Sequence, residues 1–127
     1  MAIKVVGIHH ANVRLQSADQ SYDFYGRVLG LTQDPSMPFT PERGLIWWNI
    51  PGQPSQLHTP IGAKVNNTPS GMPIGEHFAL AVEDIEETKR TLQAEGVPFD
   101  EQVLPGRGLQ LFVHDPAGNL VELQQWA

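Results

Sequence analysis

"LQLFVHDPAGNLVELQQW", residues 109–126, reads as two strands folded back on a tight turn. Proline presets one turn angle, glycine supplies a left-handed one, and asparagine tolerates either, so "PAGN" (116–119) reverses the chain. Side chains on a strand alternate between faces. Gln110 therefore shares a face with Phe112, and Gln124 shares one with Glu122.

Working outward, "DIEETKRTLQAEGV" (84–97) predicts a helix, with Asp84 as cap, an Ile85/Thr88/Leu92 stripe and Gly96 at its end. "HFALAV" (77–82) before it predicts a strand. The same order occurs earlier in the chain. Residues 5–15 predict a strand. "SADQSYDFYGRVLGL" (17–31) predicts a helix capped by Ser17 or Asp19 and ended by Gly30, with Tyr22, Tyr25, Val28 and Leu29 on one face. "TQDPSMPFTPER" (32–43) predicts a loop with room for an edge strand. "GLIWWNI" (44–50) and "SQLHTPI" (55–61) predict two strands joined at "PGQP". Two modules, 1–61 and 77–127, are thus expected within one domain spanning 1–127. The Gly/Pro/Asn-rich segment 62–76 joins them.

The repeat matters for chemistry. Each half alone is a helix on a small sheet with one face uncovered. Two such halves can bury those faces around a pseudo-two-fold axis, where corresponding residues converge. His10 and His77 lie in the first strands of their halves, 67 residues apart; His58 and Glu122 lie in the last, 64 apart. All four are good ligands for a divalent metal. His10 shares its face with Ile8, Asn12 and Arg14, a poor face for a dry core. His9 shares its face with Gly7, Ala11, Val13 and Leu15 and is expected to pack structurally under the helix. His114 opens the "HDPAGN" turn and is expected to be a solvated turn histidine. Gln56, Gln110, Phe112 and Gln124 are candidates for the same inward face. One of Trp47 and Trp48 should reach the cavity as an aromatic wall; Trp47 is the substrate-binding candidate. Arg14 and Arg107 are candidate anchors for a carboxylate or phosphate.

Composition narrows the classes. A chain of 127 residues suits one domain. With no cysteine, disulfides, thiol nucleophiles and cysteine-ligated metals are excluded. The net charge of −6, with scattered basic residues, argues against nucleic acid as partner. No apolar run is long enough to span a membrane, and the first residues do not read as a signal peptide. A soluble cytoplasmic domain is expected.

The stretches "IHHANVRL", "SYDFYGRVLGL", "QLHT", "HFALAVEDI" and above all "FVHDPAGNLVEL" resemble the vicinal oxygen chelate superfamily. That group includes glyoxalase I, methylmalonyl-CoA epimerase, extradiol dioxygenases, and fosfomycin- and bleomycin-resistance proteins. The resemblance covers nearly the whole chain. It implies an α+β fold of two βαβββ modules, with curved mixed sheets around a central metal and helices outside. It implies one divalent metal ion per site (Zn, Ni, Mn or Fe) held by His10, His58, His77 and Glu122. His58 stands where glyoxalase I has a glutamate. The chemistry implied is that of a glyoxalase-like lyase or isomerase on a small substrate with vicinal oxygens, with His58 and Glu122 catalytic. An Fe(II)-dependent extradiol-type dioxygenase and a non-catalytic drug-binding resistance protein are the alternatives. Members of the superfamily pair modules edge to edge, which implies a homodimer.

Overall fold

The computed structural model describes residues 2, 4, 6–62 and 77–126. The chain divides into two compact units, residues 1–63 and 64–127. Apart from Gly62, the expected connecting loop lies outside the described residues.

The first unit is a four-stranded mixed sheet. Its strands are β1 (His10–Asn12), β2 (Thr32–Gln33), β3 (Leu45–Asn49) and β4 (Gln56–Pro60). The order is β1-β4-β3-β2, with β1 parallel to β4 and the other pairs antiparallel. The sequence predicts a longer first strand. Val6 and Ile8 are instead highly exposed, and regular pairing begins only at His10.

Helix α1 starts as an α-helix, Ala18–Ser21, and continues as a π-helix, Tyr22–Val28. The Ser17 hydroxyl caps it by accepting from the Gln20 N–H, 3.3 Å away. Gly30 ends it at φ +72°. The wider winding moves the buried face from the expected Tyr22 to Ser21, Phe24 and Tyr25; Tyr22 is exposed. Trp48 lies on this helix side of the sheet. Its indole N–H donates to Ser21 Oγ at 3.0 Å, and Ser21 Oγ lies 2.8 Å from Thr59 Oγ1. With Leu57 and Ile46 also buried, this is the core of the unit, each large apolar side chain contributing about 1.5–3 kcal/mol.

The second unit repeats the plan with β5 (Phe78–Val82), α2 (Ile85–Ala94), β6 (Phe99–Leu104), β7 (Gly108–His114) and β8 (Leu120–Gln125). Its order is β5-β8-β7-β6, again with one parallel pair, β5 with β8. Strand β6 has no strong alternation and is not signalled in the sequence. Asp84 caps α2 as expected, its Oδ1 accepting from the Glu87 N–H at 3.0 Å. Ile85 and Leu92 are buried, and the helix packs on β7 and β8. No helix among the described residues is long and apolar enough to cross a membrane.

Candidate functional site

In the first unit, alternation and register bring His10, Asn12, Gln56, His58 and Trp47 to the sheet face opposite α1. His10 pairs with Gln56, and His58 lies between Asn12 on β1 and Trp47 on β3. The His58 ring stacks on both: its centroid is 4.4 Å from that of His10 and 4.4 Å from that of the Trp47 ring, at interplanar angles of 18° and 24°. Its edge is also fixed. Gln56 donates through Nε2 to Asp34 Oδ2 (2.8 Å) and Asn49 Oδ1 (3.0 Å). The Gln56 Oε1 therefore faces His58 Nε2 at 3.0 Å and must accept from it. That assigns the ring proton to Nε2 and the lone pair to Nδ1. Burial, and then the neighbouring His10 and His9, push the His58 imidazole below its ordinary value, favouring the neutral ring a metal ligand or base requires. Asp34 is held below the usual carboxylate range, chiefly by the Ser36 hydroxyl, then by the Ser36 N–H and by Gln56.

His9 departs from expectation. It precedes β1, is exposed, and places its Nδ1 2.9 Å from His10 Nδ1. It does not pack beneath the helix: its carbonyl accepts from the Gln56 N–H at 3.1 Å, but its ring turns to His10 at the open end of the strand. His9, His10, Asn12, Arg14, Arg43 and Trp47 help line an open hollow of about 700 Å3 on this face, together with His58 and Pro60. The sequence reading passes over Arg43. Its signal is the alternation Arg43, Leu45, Trp47 running into β3.

In the second unit, Glu122 occupies the corresponding position. It pairs with Ala79 on β5 and with Phe112 on β7. His77 Nε2 lies 3.0 Å from Glu122 Oε1. The other carboxylate oxygen accepts from Gln110 Nε2 at 3.0 Å, and Gln110 Oε1 accepts from Gln102 Nε2 at 2.7 Å. Gln124 Oε1 is a longer contact of Gln110, at 3.4 Å. Glu122 is buried, and this amide chain supplies donors to its charge. Gln102 lies on the unanticipated strand β6, so the sequence gives no signal for it. The His77 and Phe112 rings meet edge to face, with centroids 6.1 Å apart. Arg107 is exposed on the β6–β7 turn and is not gathered with these residues. His114 is half-buried rather than solvated, and its Nε2 is shielded without a hydrogen-bond partner.

The two units thus carry the same arrangement. His10 lies two residues before the partner of His58, and His77 two residues before the partner of Glu122. An aromatic residue, Trp47 or Phe112, stands on the other side of each. Two ligands about 2.1 Å from one ion and at right angles to it are about 3.0 Å apart. The His77–Glu122 contact is a hydrogen bond whose 3.0 Å length also equals that edge, so the two side chains are close enough to share a divalent ion. Among the described residues, no three His, Asp or Glu side chains are gathered into one ligand cluster; His10 and His58 meet as stacked rings and His77 and Glu122 as a hydrogen-bonded pair.

Comparison with known proteins agrees with this architecture. A putative glyoxalase family protein from Bacillus anthracis superposes with TM-score 0.79 at 23% identity, covering 100% of both chains. A lactoylglutathione lyase from Agrobacterium tumefaciens gives 0.70 at 22% identity, covering 94% of this chain and 92% of that one. A mutant fosfomycin resistance protein from Listeria monocytogenes, complexed with Mn(II) and a dihydroxypropylphosphonic acid, gives 0.76 at 14% identity, covering 98% and 95%. No curated protein matches by sequence. The family model described as Glyoxalase/Bleomycin resistance protein/Dioxygenase superfamily matches residues 7–123, and the chain belongs to that superfamily.

Proposed function

We propose that the chain is a divalent-metal-dependent enzyme of glyoxalase type, a lyase or isomerase acting on a small substrate with vicinal oxygens. His10, His58, His77 and Glu122 are the proposed ligands. The observation that carries this reading is the matched register of the two ligand pairs, because unrelated histidines have no reason to recur at equivalent positions of a repeat. The Mn(II) named with the Listeria protein supports the same reading by analogy of fold.

When bound, the metal supplies Lewis-acid polarisation of two neighbouring substrate oxygens. The chain's own residues do the rest. Glu122 contributes the one full negative charge of the ligand set, and Gln110 holds its second oxygen in place. Trp47 and Phe112 offer aromatic walls. His58 has one lone pair, at Nδ1, set by the Asp34–Gln56 chain, so its two proposed roles alternate: where it does not hold the metal, Nδ1 accepts the proton leaving the substrate carbon and returns it at the neighbouring position. The protein is further proposed to be a cytoplasmic homodimer. Its sheets end in edge strands, and exposed Val103 and Leu104 lie on one of them, β6.

Metal content measures the central claim. Wild type should retain about one equivalent of Mn(II), Ni(II) or Zn(II) after dialysis. Glu122→Ala should lose most of it, and more than His58→Ala loses. Equal retention in wild type and Glu122→Ala would refute the assignment. Turnover of a catechol that requires Fe(II) and consumes O2 would replace the lyase or isomerase reading with the dioxygenase one.

A further inference from the structure

The second unit holds three glutamines at one level of its sheet. Gln102 on β6 pairs with Gln110 on β7, and Gln110 pairs with Gln124 on β8. At the neighbouring level of the same face, Asp100, Phe112 and Glu122 pair in the same way. Glu122 is therefore diagonal to Gln110. Gln102 lies one strand further out, half-buried on the edge strand of the sheet, and hydrogen-bonds to Gln110 rather than to Glu122.

Hydrogen-bonding capacity gives this row a direction. A carboxylate only accepts, so Gln110 must turn Nε2 to Glu122 Oε2, 3.0 Å away. Its Oε1 then faces outward and can only accept, so Gln102 must offer Nε2, 2.7 Å away. Gln110 and Glu122 are each 7% exposed, which leaves water little access to replace either partner. A reversed Gln110 would set its Oε1 against the carboxylate, two acceptors with no proton between them. The first unit carries direction the opposite way. There the charge sits at the remote end, on Asp34, and Gln56 transmits its direction inward to His58. In the second unit the charge is on the proposed ligand itself, and the amides extend outward from it.

We infer that Gln102 is a positioning residue for the metal site: by donating to Gln110 it keeps that amide turned so that Nε2 holds Glu122 Oε2, with Oε1 left on the His77 side. The inference rests on the reading of Glu122 as a metal ligand. It adds a residue that sets divalent-ion affinity from the sheet edge without reaching the ion. The energetic reason is the cost of an unmet buried amide. With no donor at position 102, the Gln110 Oε1 has no partner, and the amide gains as much by turning over as by staying. A carboxylate whose holding donor is lost half the time is a poorer ligand, because its oxygens are no longer set in one place.

Zinc affinity, measured by competition with a chromophoric chelator, tests this. Gln102→Met keeps the reach of the side chain and removes the donor; it should bind zinc about tenfold more weakly than wild type. Adding Gln102→Met to Gln110→Met should cost less than about a further twofold, because Gln102 acts only through Gln110. Gln102→Glu separates mechanisms by sign. An added negative charge acting through space would tighten zinc, whereas loss of the donor weakens it. Wild-type affinity in Gln102→Met, a larger further loss in the double variant, or zinc bound as tightly by Gln102→Glu as by wild type would overturn the inference. Side-chain amide NMR of the metal-free chain gives a second readout. In Glu122→Gln the Gln102 amide resonances should move although the two residues are not hydrogen-bonded, and in the Gln110→Met background they should stay. A Gln102 signal that ignores residue 122 in the folded chain would also overturn the inference. Failure of the metal reading has a different signature: zinc would bind wild type and Glu122→Ala alike, or neither, while the Gln102 resonances still followed residue 122.

Discussion

Asp34 touches neither substrate nor proposed metal, yet it decides which atom of His58 carries a proton. Its ionised carboxyl accepts one Gln56 amide proton, and Asn49 accepts the other, which turns Gln56 Oε1 toward the imidazole. Because its folded-state value lies below the ordinary 3.8, its contribution to stability is fully present above about pH 4 and is lost as the pH falls through the folded value. Asp34→Asn should therefore be less stable than wild type at neutral pH, with the difference closing in acid. Urea midpoints at neutral pH and near pH 2.5 measure this; a difference that is unchanged in acid would contradict it. At this scale the sequence is partly legible. The face carrying His10, Asn12 and Arg14 follows from alternation, and those three do line one hollow. His9 does not follow, because at the first residues of a short strand the side chain is placed by its contact with His10 rather than by packing under the helix. The Asp34–Gln56 and Gln102–Gln110 contacts depend on cross-strand register, which spacing along the chain does not encode.

The β7–β8 hairpin shows an element whose sequence states its own geometry. Asp115 Oδ1 accepts the N–H groups of Ala117 and Asn119 at 2.9 and 2.8 Å, and Oδ2 accepts Asn119 Nδ2 at 2.7 Å. Gly118 takes φ +86°. Aspartate, glycine and asparagine each have a separate duty, which is why this stretch is the most informative in the chain. Asp115→Ala leaves buried donors without acceptors and should cost about 2–4 kcal/mol in urea unfolding, with the strand carrying Glu122 affected first. A loss below about 0.5 kcal/mol would mean that water replaces the carboxylate. Helix α1 is the contrary case. Its residues signal a helix and its caps, but the 3.6-residue period misplaces its face, since Tyr22–Val28 winds as a π-helix. Gly26 belongs to that winding: a Cβ there would stand 3.0 Å from the Trp48 ring.

Across the whole molecule, two stretches of different sequence build the same sheet order and place His10 with His58, and His77 with Glu122, in the same register. That repeat is legible because His10 and His77 recur 67 residues apart and His58 and Glu122 64 apart, in matching strands. The edge strands make assembly the natural prediction at this scale. Sedimentation at micromolar concentration should give twice the 14.0 kDa chain mass, and Val103→Lys with Leu104→Lys should shift it toward the monomer if β6 is the paired edge. A wild-type monomer throughout would end the dimer proposal. The stacking of Trp47 on His58 has an optical consequence. An excited indole transfers an electron readily to an imidazole made cationic, and poorly to a neutral one. Trp47 emission is thus a built-in gauge of the charge state of the ring beneath it, while Trp48 sits in the core and Trp126 is exposed. Zinc addition should change the fluorescence of wild type and leave that of Trp47→Phe nearly still; an equal response in both would locate the signal elsewhere. The molecule carries its own dye at the position where occupancy would be read.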